Sequence, residues 1–146
     1  MKKLFLLAYI SYHLLATTYS RAQDFQPIVP LNTKPLLAGN FAELRPNHFH
    51  GGLDLKTEGR EGLQVLAAQD GYVSRIIVSP YGYGKMLYIT HADGYVTTYG
   101  HLQKYAPAIE AYVKKKQYEK QTYDIDITPA ENEFVVKKGE WVGVSG

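Results

Sequence analysis

The chain contains no cysteine among its 146 residues, and it has no apolar run long enough to read confidently as a membrane span. Without cysteine, no disulfide can hold the fold and no lipid can be attached through a thiol near the start of the mature chain. The core, alone or together with a metal, must therefore supply the stability. The length is sufficient for one domain with a modest core.

The longest apolar run lies at the start of the chain. Lys2 and Lys3 precede apolar residues 4–10, and small residues surround Arg21. A basic start, an apolar middle and small residues before a cleavage point are typical of a secretory signal peptide. We expect residues 1–22 to be removed, with the mature protein exported to the periplasm, the cell envelope or the medium and without a membrane span. An uncleaved anchor is the alternative.

A positive charge excess is also missing from the expected mature chain. The formal charge of +2 arises from 16 basic and 14 acidic residues. Residues 1–22 contain three basic residues and no acid, so their removal leaves 13 basic and 14 acidic residues, a charge of −1. Nucleic-acid binding depends on basic clusters that neutralise phosphates, so we expect no nucleic-acid partner.

Short segments rich in β-branched and aromatic residues follow a lead-in at residues 23–38 that is punctuated by prolines. Glycine, proline or aspartate bounds each segment, which is typical of strands joined by turns. The predicted strands are residues 64–68, 71–78, 85–91 and 95–101, with two or three short strands after residue 123. An antiparallel meander is the expected arrangement.

Residues 107–121 have a different pattern from the strand segments. Ile109, Tyr112 and Val113 recur at helical spacing, and charged residues surround them. This spacing predicts one amphipathic helix, with residues 114–116, all lysine, in solvent.

Glycines occur at positions 82 and 84, between two predicted strands. Neither a helix start nor a Lys-Ser/Thr pair follows them, so they indicate a hairpin connection and not a phosphate-binding loop. The tyrosines at positions 81 and 83 are left free to line a groove.

Two histidines and an aspartate cluster within residues 47–54. His48 and His50 point to the same face of an extended strand, and Asp54 lies four residues beyond His50. Neutral imidazole and carboxylate are ligands that zinc accepts, so the cluster is a candidate half-site for a metal; solvated polar surface is the alternative. Pro46 favours an extended Arg45, for which pairing with an acid or contact with substrate are both open.

The order of three segments resembles the zinc peptidases of the lysostaphin and LytM type, family M23. Residues 49–54 resemble the family's His-x-x-x-Asp motif. Residues 88–102 resemble its hairpin ending in Tyr-x-His-Leu, and residues 136–146 resemble the turn and strand before its final motif. The resemblance covers residues 39–146.

The resemblance implies an all-β fold with one inserted helix at about residues 105–122. It implies a twisted antiparallel sheet with a second small sheet, of the LytM or duplicated hybrid motif type. His50 and Asp54 then correspond to zinc ligands, and His101 corresponds to the family's catalytic histidine. A zinc-bound water of lowered pKa and a nearby imidazole form a coherent hydrolytic site.

The family's third ligand comes from a His-x-His motif near the C-terminus, and no histidine follows His101 here. His48 and His91 are internal substitutes, but His91 matches a position that is structural in the family. We therefore expect a peptidase domain truncated before that motif. As written, the chain should bind Zn²⁺ poorly and have little activity, because even outer-shell losses weaken metal sites about 10- to 100-fold.

Three functions follow from these observations. The first is a zinc endopeptidase of the cell envelope that hydrolyses peptide bonds in peptidoglycan. The second is a non-catalytic domain of the same fold that binds peptidoglycan or a partner hydrolase. The third is a carbohydrate-binding module, for which the exposed tyrosines are the only support.

Overall fold

The structure is a computed structural model that describes residues 25–92 and 94–146. The expected signal peptide, residues 1–22, lies outside the described residues, as does Asp93 of the expected hairpin turn. Within the part of the chain that is described, no helix is long and apolar enough to cross a membrane.

The protein is mostly β structure with one helix, as the resemblance implied. The elements are β1 (Leu37–Gly39), β2 (Asp54–Leu55), β3 (Gln64–Leu66), β4 (Gly71–Val78), β5 (Lys85–His91), β6 (Val96–Tyr105), α1 (Pro107–Lys120), β7 (Ile125–Ile127), β8 (Val135–Val136) and β9 (Trp141–Ser145). A curled seven-stranded antiparallel sheet has the order β3-β9-β6-β5-β4-β7, with β8 also paired to β4. Strands β1 and β2 form the small second sheet.

The core lies on one face of the large sheet, where alternate side chains of the central strands are buried. Val73, Ile76 and Val78 of β4 are fully buried together with Leu87 and Ile89 of β5. Within β4, the buried side chains change from odd to even residue numbers because the register with β5 shifts between Val73 and Arg75. A bulge of this kind inserts one residue and moves the following side chains to the other parity.

The helix packs on this core through one side. Ile109 and Val113 are buried, and Tyr112 contacts Phe134 edge to face with ring centroids 5.2 Å apart. Pro107 occupies the first turn, where its missing N–H has no helical partner to lose. The helix ends at Lys120, one residue earlier than predicted, because the next residue, Gln121, has a left-handed backbone with φ 49°. The amphipathic pattern therefore identified the helix correctly.

Two strand boundaries differ from the prediction by more than one residue. Strand β3 ends at Leu66 because the amide of Ala67 donates to Glu140 O outside the ladder, at 2.8 Å. Strand β6 continues four residues beyond His101 because Leu102 and Tyr105 pair with Ser145 and Gly143 of β9. Both differences arise from partners distant in sequence, which local patterns do not contain.

Candidate metal and catalytic site

A groove of about 450 Å³ lies between the small second sheet and the large sheet. His50, Asp54 and His101, the three predicted site residues, all line it, although they come from separate elements. Three aromatic rings also line it, those of Tyr83, Tyr88 and Tyr99. The structure thus brings the predicted residues to one surface.

A short hairpin at residues 42–50 positions His50. The amide of Ala42 donates to His50 O and the amide of His50 donates to Glu43 O, both at 2.8 Å. The imidazole of His50 is buried, and its Nδ1 lies 2.9 Å from the backbone oxygen of Asn40. Because a carbonyl oxygen only accepts, Nδ1 carries the proton of this bond. In the neutral imidazole, the Nε2 lone pair is then free to bind a cation.

Asp54 begins β2 and faces His50. Its Oδ1 lies 3.1 Å from His50 Nε2, while its Oδ2 accepts a hydrogen bond from Arg45 Nη2 at 2.5 Å. The hydrogen bond from Arg45 and the positive charge of its guanidinium lower the pKa of Asp54. Asp54 is therefore an ionised carboxylate with one oxygen directed toward His50.

The contact between His50 and Asp54 tests whether the site suits a metal. With a neutral His50, Nε2 and Oδ1 are both lone-pair donors, so their 3.1 Å approach is favourable only with a proton or a cation between them. Two ligands of one tetrahedral zinc, each about 2.0 Å from it, lie about 3.3 Å apart. The donor types and their separation therefore suit zinc as well as they suit a His-Asp ion pair.

His101 lies in β6 with an unusual backbone conformation. Its φ is 54°, in the left-handed region that non-glycine residues rarely adopt. Its amide donates to Tyr83 O at 3.0 Å, and its carbonyl accepts from the Gly146 amide at 2.9 Å. These two bonds hold the turned backbone, and the His101 side chain lines the groove. Its imidazole is exposed, so solvent can exchange protons with it.

The other described histidines do not line the groove. His48 is exposed, with Nδ1 2.8 Å from the side-chain oxygen of Asn47. His91 is buried, with Nδ1 2.8 Å from Asp70 O and Nε2 2.9 Å from Thr97 Oγ1. His91 therefore has the structural role expected of it, and neither histidine replaces a third ligand here.

Among the described residues, no group of three or more His, Cys, Asp or Glu side chains is arranged to hold a metal ion. His50 and Asp54 are thus a pair of donors, with His101 on the same groove.

The sequence identified the supporting groups of the site only in part. The carbonyl of Asn40 orients His50, but a backbone group has no signature in residue type. For Arg45, the structure shows pairing with an acid, which is one of the two roles left open by the sequence. Of the two exposed tyrosines, Tyr83 lines the groove and Tyr81 does not.

Comparison with known proteins identifies one family. Residues 48–118 match the model of peptidase family M23, and the matched region contains His50, Asp54 and His101. No curated protein matches the chain.

Proposed function

The chain belongs to peptidase family M23, and from this premise we propose that it is a zinc-dependent endopeptidase that hydrolyses peptide bonds in peptidoglycan. We further propose that it acts in the cell envelope after export. The family match supports a peptidase, and residues 1–22, which are typical of a secretory signal peptide, support the location.

The observation that carries the proposal is the pairing of His50 Nε2 with Asp54 Oδ1 at 3.1 Å on the wall of the groove. These two atoms would hold the zinc. Bound zinc would supply a water of lowered pKa and would polarise the carbonyl of the substrate. The carbonyl of Asn40 keeps His50 in the tautomer that can bind the ion.

His101 would move protons in the reaction. Its imidazole lines the same groove as His50 and Asp54. An imidazole in that position can take a proton from an attacking water and give it to the leaving amine. The tyrosine rings would bind the peptide and exclude water from one side of it.

The test uses protein expressed from the full reading frame and purified peptidoglycan. Mass spectrometry of the released fragments should show new amino and carboxyl ends at one type of peptide bond. His50→Ala should abolish this release. His48→Ala should retain it, because His48 is an exposed histidine two residues away and lies outside the groove. Release by His50→Ala at the wild-type rate would contradict the proposal.

A second candidate function is a non-catalytic domain that binds peptidoglycan or a partner hydrolase. It is favoured by the two-donor site, since catalytic zinc usually has three protein ligands. This function predicts sedimentation of the protein with peptidoglycan without release of fragments. It also predicts that His50→Ala binds as well as the wild type.

A further inference from the structure

We propose that Arg45 is a positioning residue that restricts Asp54 to a single metal-facing oxygen, with Gly39 and Glu43 completing its support. This inference rests on the proposed function, because it concerns how the donor pair is prepared for the ion. The four residues come from β1, the hairpin at residues 42–50 and β2.

The two oxygens of Asp54 have different partners. Oδ2 accepts a hydrogen bond from Arg45 Nη2 at 2.5 Å, and Oδ1 lies 3.1 Å from His50 Nε2. With Oδ2 occupied by the guanidinium, a cation on the groove side meets Oδ1 alone. Single-oxygen coordination suits the small tetrahedral shell of zinc, whereas larger ions such as calcium often take both oxygens.

Glu43 offsets the positive charge of Arg45, which would otherwise oppose metal binding beside Asp54. An unopposed guanidinium beside Asp54 would repel a metal ion. Glu43 Oε2 lies 3.5 Å from Arg45 Nη2, so the three charged groups together carry −1, the same as Asp54 alone. Arg45 therefore orients the carboxylate while Glu43 offsets its charge.

Gly39 provides the space for this cluster. It pairs with Asp54 in the register of the small second sheet. A Cβ at Gly39 would lie 2.5 Å from Asp54 Oδ2, 2.7 Å from Arg45 Nη2 and 3.0 Å from Glu43 Oε2. Gly39 is not among the residues with positive φ, so the requirement for glycine is contact with these side chains. The second sheet thus brings β1 against the far side of the metal-facing carboxylate.

A second Arg-Asp pair has a different geometry and lies away from the groove. Arg75 donates to both oxygens of Asp126, from Nε to Oδ1 at 2.8 Å and from Nη2 to Oδ2 at 2.5 Å. That pair joins β4 to β7, is exposed and does not line the groove. It is a common surface arrangement in which the guanidinium engages both carboxylate oxygens. Arg75 is therefore a matched control for Arg45.

The experiment measures Zn²⁺ affinity of the full-length protein by competition with a chromophoric chelator. Arg45→Met should weaken binding about 10- to 100-fold, the range typical when a partner of a metal ligand is lost. Arg75→Met should bind within about twofold of the wild type, because its pair lies away from the groove. Gly39→Ala retains the arginine but should displace its guanidinium, so it should also weaken Zn²⁺ binding. This variant replaces Arg45→Met in the experiment if Arg45→Met does not fold.

A spectroscopic measurement separates positioning from a general loss of structure. The d–d absorption of bound Co²⁺ reports its coordination number, and it should weaken in Arg45→Met if Asp54 then supplies both oxygens. The metal-free proteins should unfold at similar temperatures for Arg45→Met and Arg75→Met.

Two outcomes overturn different claims. If the wild type and Arg45→Met bind Zn²⁺ equally and give the same Co²⁺ spectrum, while His50→Ala does not bind, the positioning role of Arg45 is wrong and the zinc site stands. If the wild type and His50→Ala are equally weak, the proposed function fails, and the inference fails with it.

Discussion

Tyr83 and His101 are joined through both backbone and side chain. The His101 amide donates to Tyr83 O at 3.0 Å, and the two rings lie 5.4 Å apart with an angle of 57° between their planes. Tyr83 belongs to the connection between β4 and β5, whereas His101 lies in β6. The connection that the glycines at positions 82 and 84 allow thus orients the imidazole in the groove.

We expect Tyr83→Ala to reduce peptidase activity about 10- to 100-fold, because small displacements of a catalytic group can have effects of that size. Tyr83 is half exposed, so the free energy of unfolding should change by no more than about 0.5 kcal/mol. Tyr83→Phe should keep the ring contact and most of the activity. Tyr81→Ala is the control, since Tyr81 is more exposed and lies outside the groove. An equal loss in both alanine variants would contradict the role of Tyr83.

His91 should matter for stability and not directly for catalysis. Its ring bonds Asp70 O and Thr97 Oγ1, and Thr97 lies 3.0 Å from the Tyr99 hydroxyl. His91→Ala would remove the buried imidazole and leave the Asp70 carbonyl and the Thr97 hydroxyl without this partner in a part-buried position, so we expect a loss of about 1 to 3 kcal/mol in the free energy of unfolding. Urea unfolding measures this. The exposed His48→Ala should change little, and a similar effect of both substitutions would show that burial of His91 is irrelevant.

The core contact of the helix can be tested through Ile109. This residue is 4 % exposed and packs in the core cluster, so Ile109→Ala should lower the free energy of unfolding by about 2 to 4 kcal/mol. Lys114→Ala, on the exposed side of the same helix, should change it by no more than about 0.5 kcal/mol. Thermal unfolding of both variants makes the comparison. Equal unfolding temperatures would mean that the helix does not contribute to the core.

Asp70 should contribute to the pH dependence of stability. Its carboxylate accepts from the Lys138 amide at 2.8 Å and from Lys137 Nζ at 3.1 Å, and these bonds lower its pKa from the usual 3.8. A lowered folded pKa means that the stabilisation is complete above pH 3.8 and is lost as the pH falls through the folded value.

The matching substitution is Asp70→Asn. The wild type should unfold at a higher temperature than Asp70→Asn near neutral pH, and the difference should close as the carboxyl is protonated in acid. Unfolding temperatures across this pH range provide the measurement. A difference that stays constant into strong acid would exclude ionisation as its cause.

The elements of the fold were largely predictable from local sequence. Segments rich in β-branched and aromatic residues marked β4 and β5 with correct bounds, and the spacing of Ile109 and Val113 marked α1. The parity change within β4 was not predictable, because it depends on the register with β5. Likewise, the extension of β6 beyond His101 depends on β9, about forty residues away.

The candidate site was predictable to a smaller extent. The spacing of His50 and Asp54 and the family pattern around His101 indicated the groove residues. The expected shared face of His48 and His50 does not bring His48 to the groove. The hairpin at residues 42–50 buries His50 and leaves His48 in solvent near its tip. The support from Gly39 was hidden for another reason, since it depends on the pairing of β1 with β2.

The position of β9 has a consequence for the order in which the protein can fold during synthesis. Strands β4, β5 and β6 are consecutive neighbours, so they can pair as soon as residue 105 is available. Strand β3 is made before them, but its ladder partner is β9, Trp141–Ser145. Residues 64–66 therefore cannot form their ladder with β9 until some seventy-five further residues have been translated. A newly made chain of this protein passes through a stage in which the sheet beside the future groove is still open.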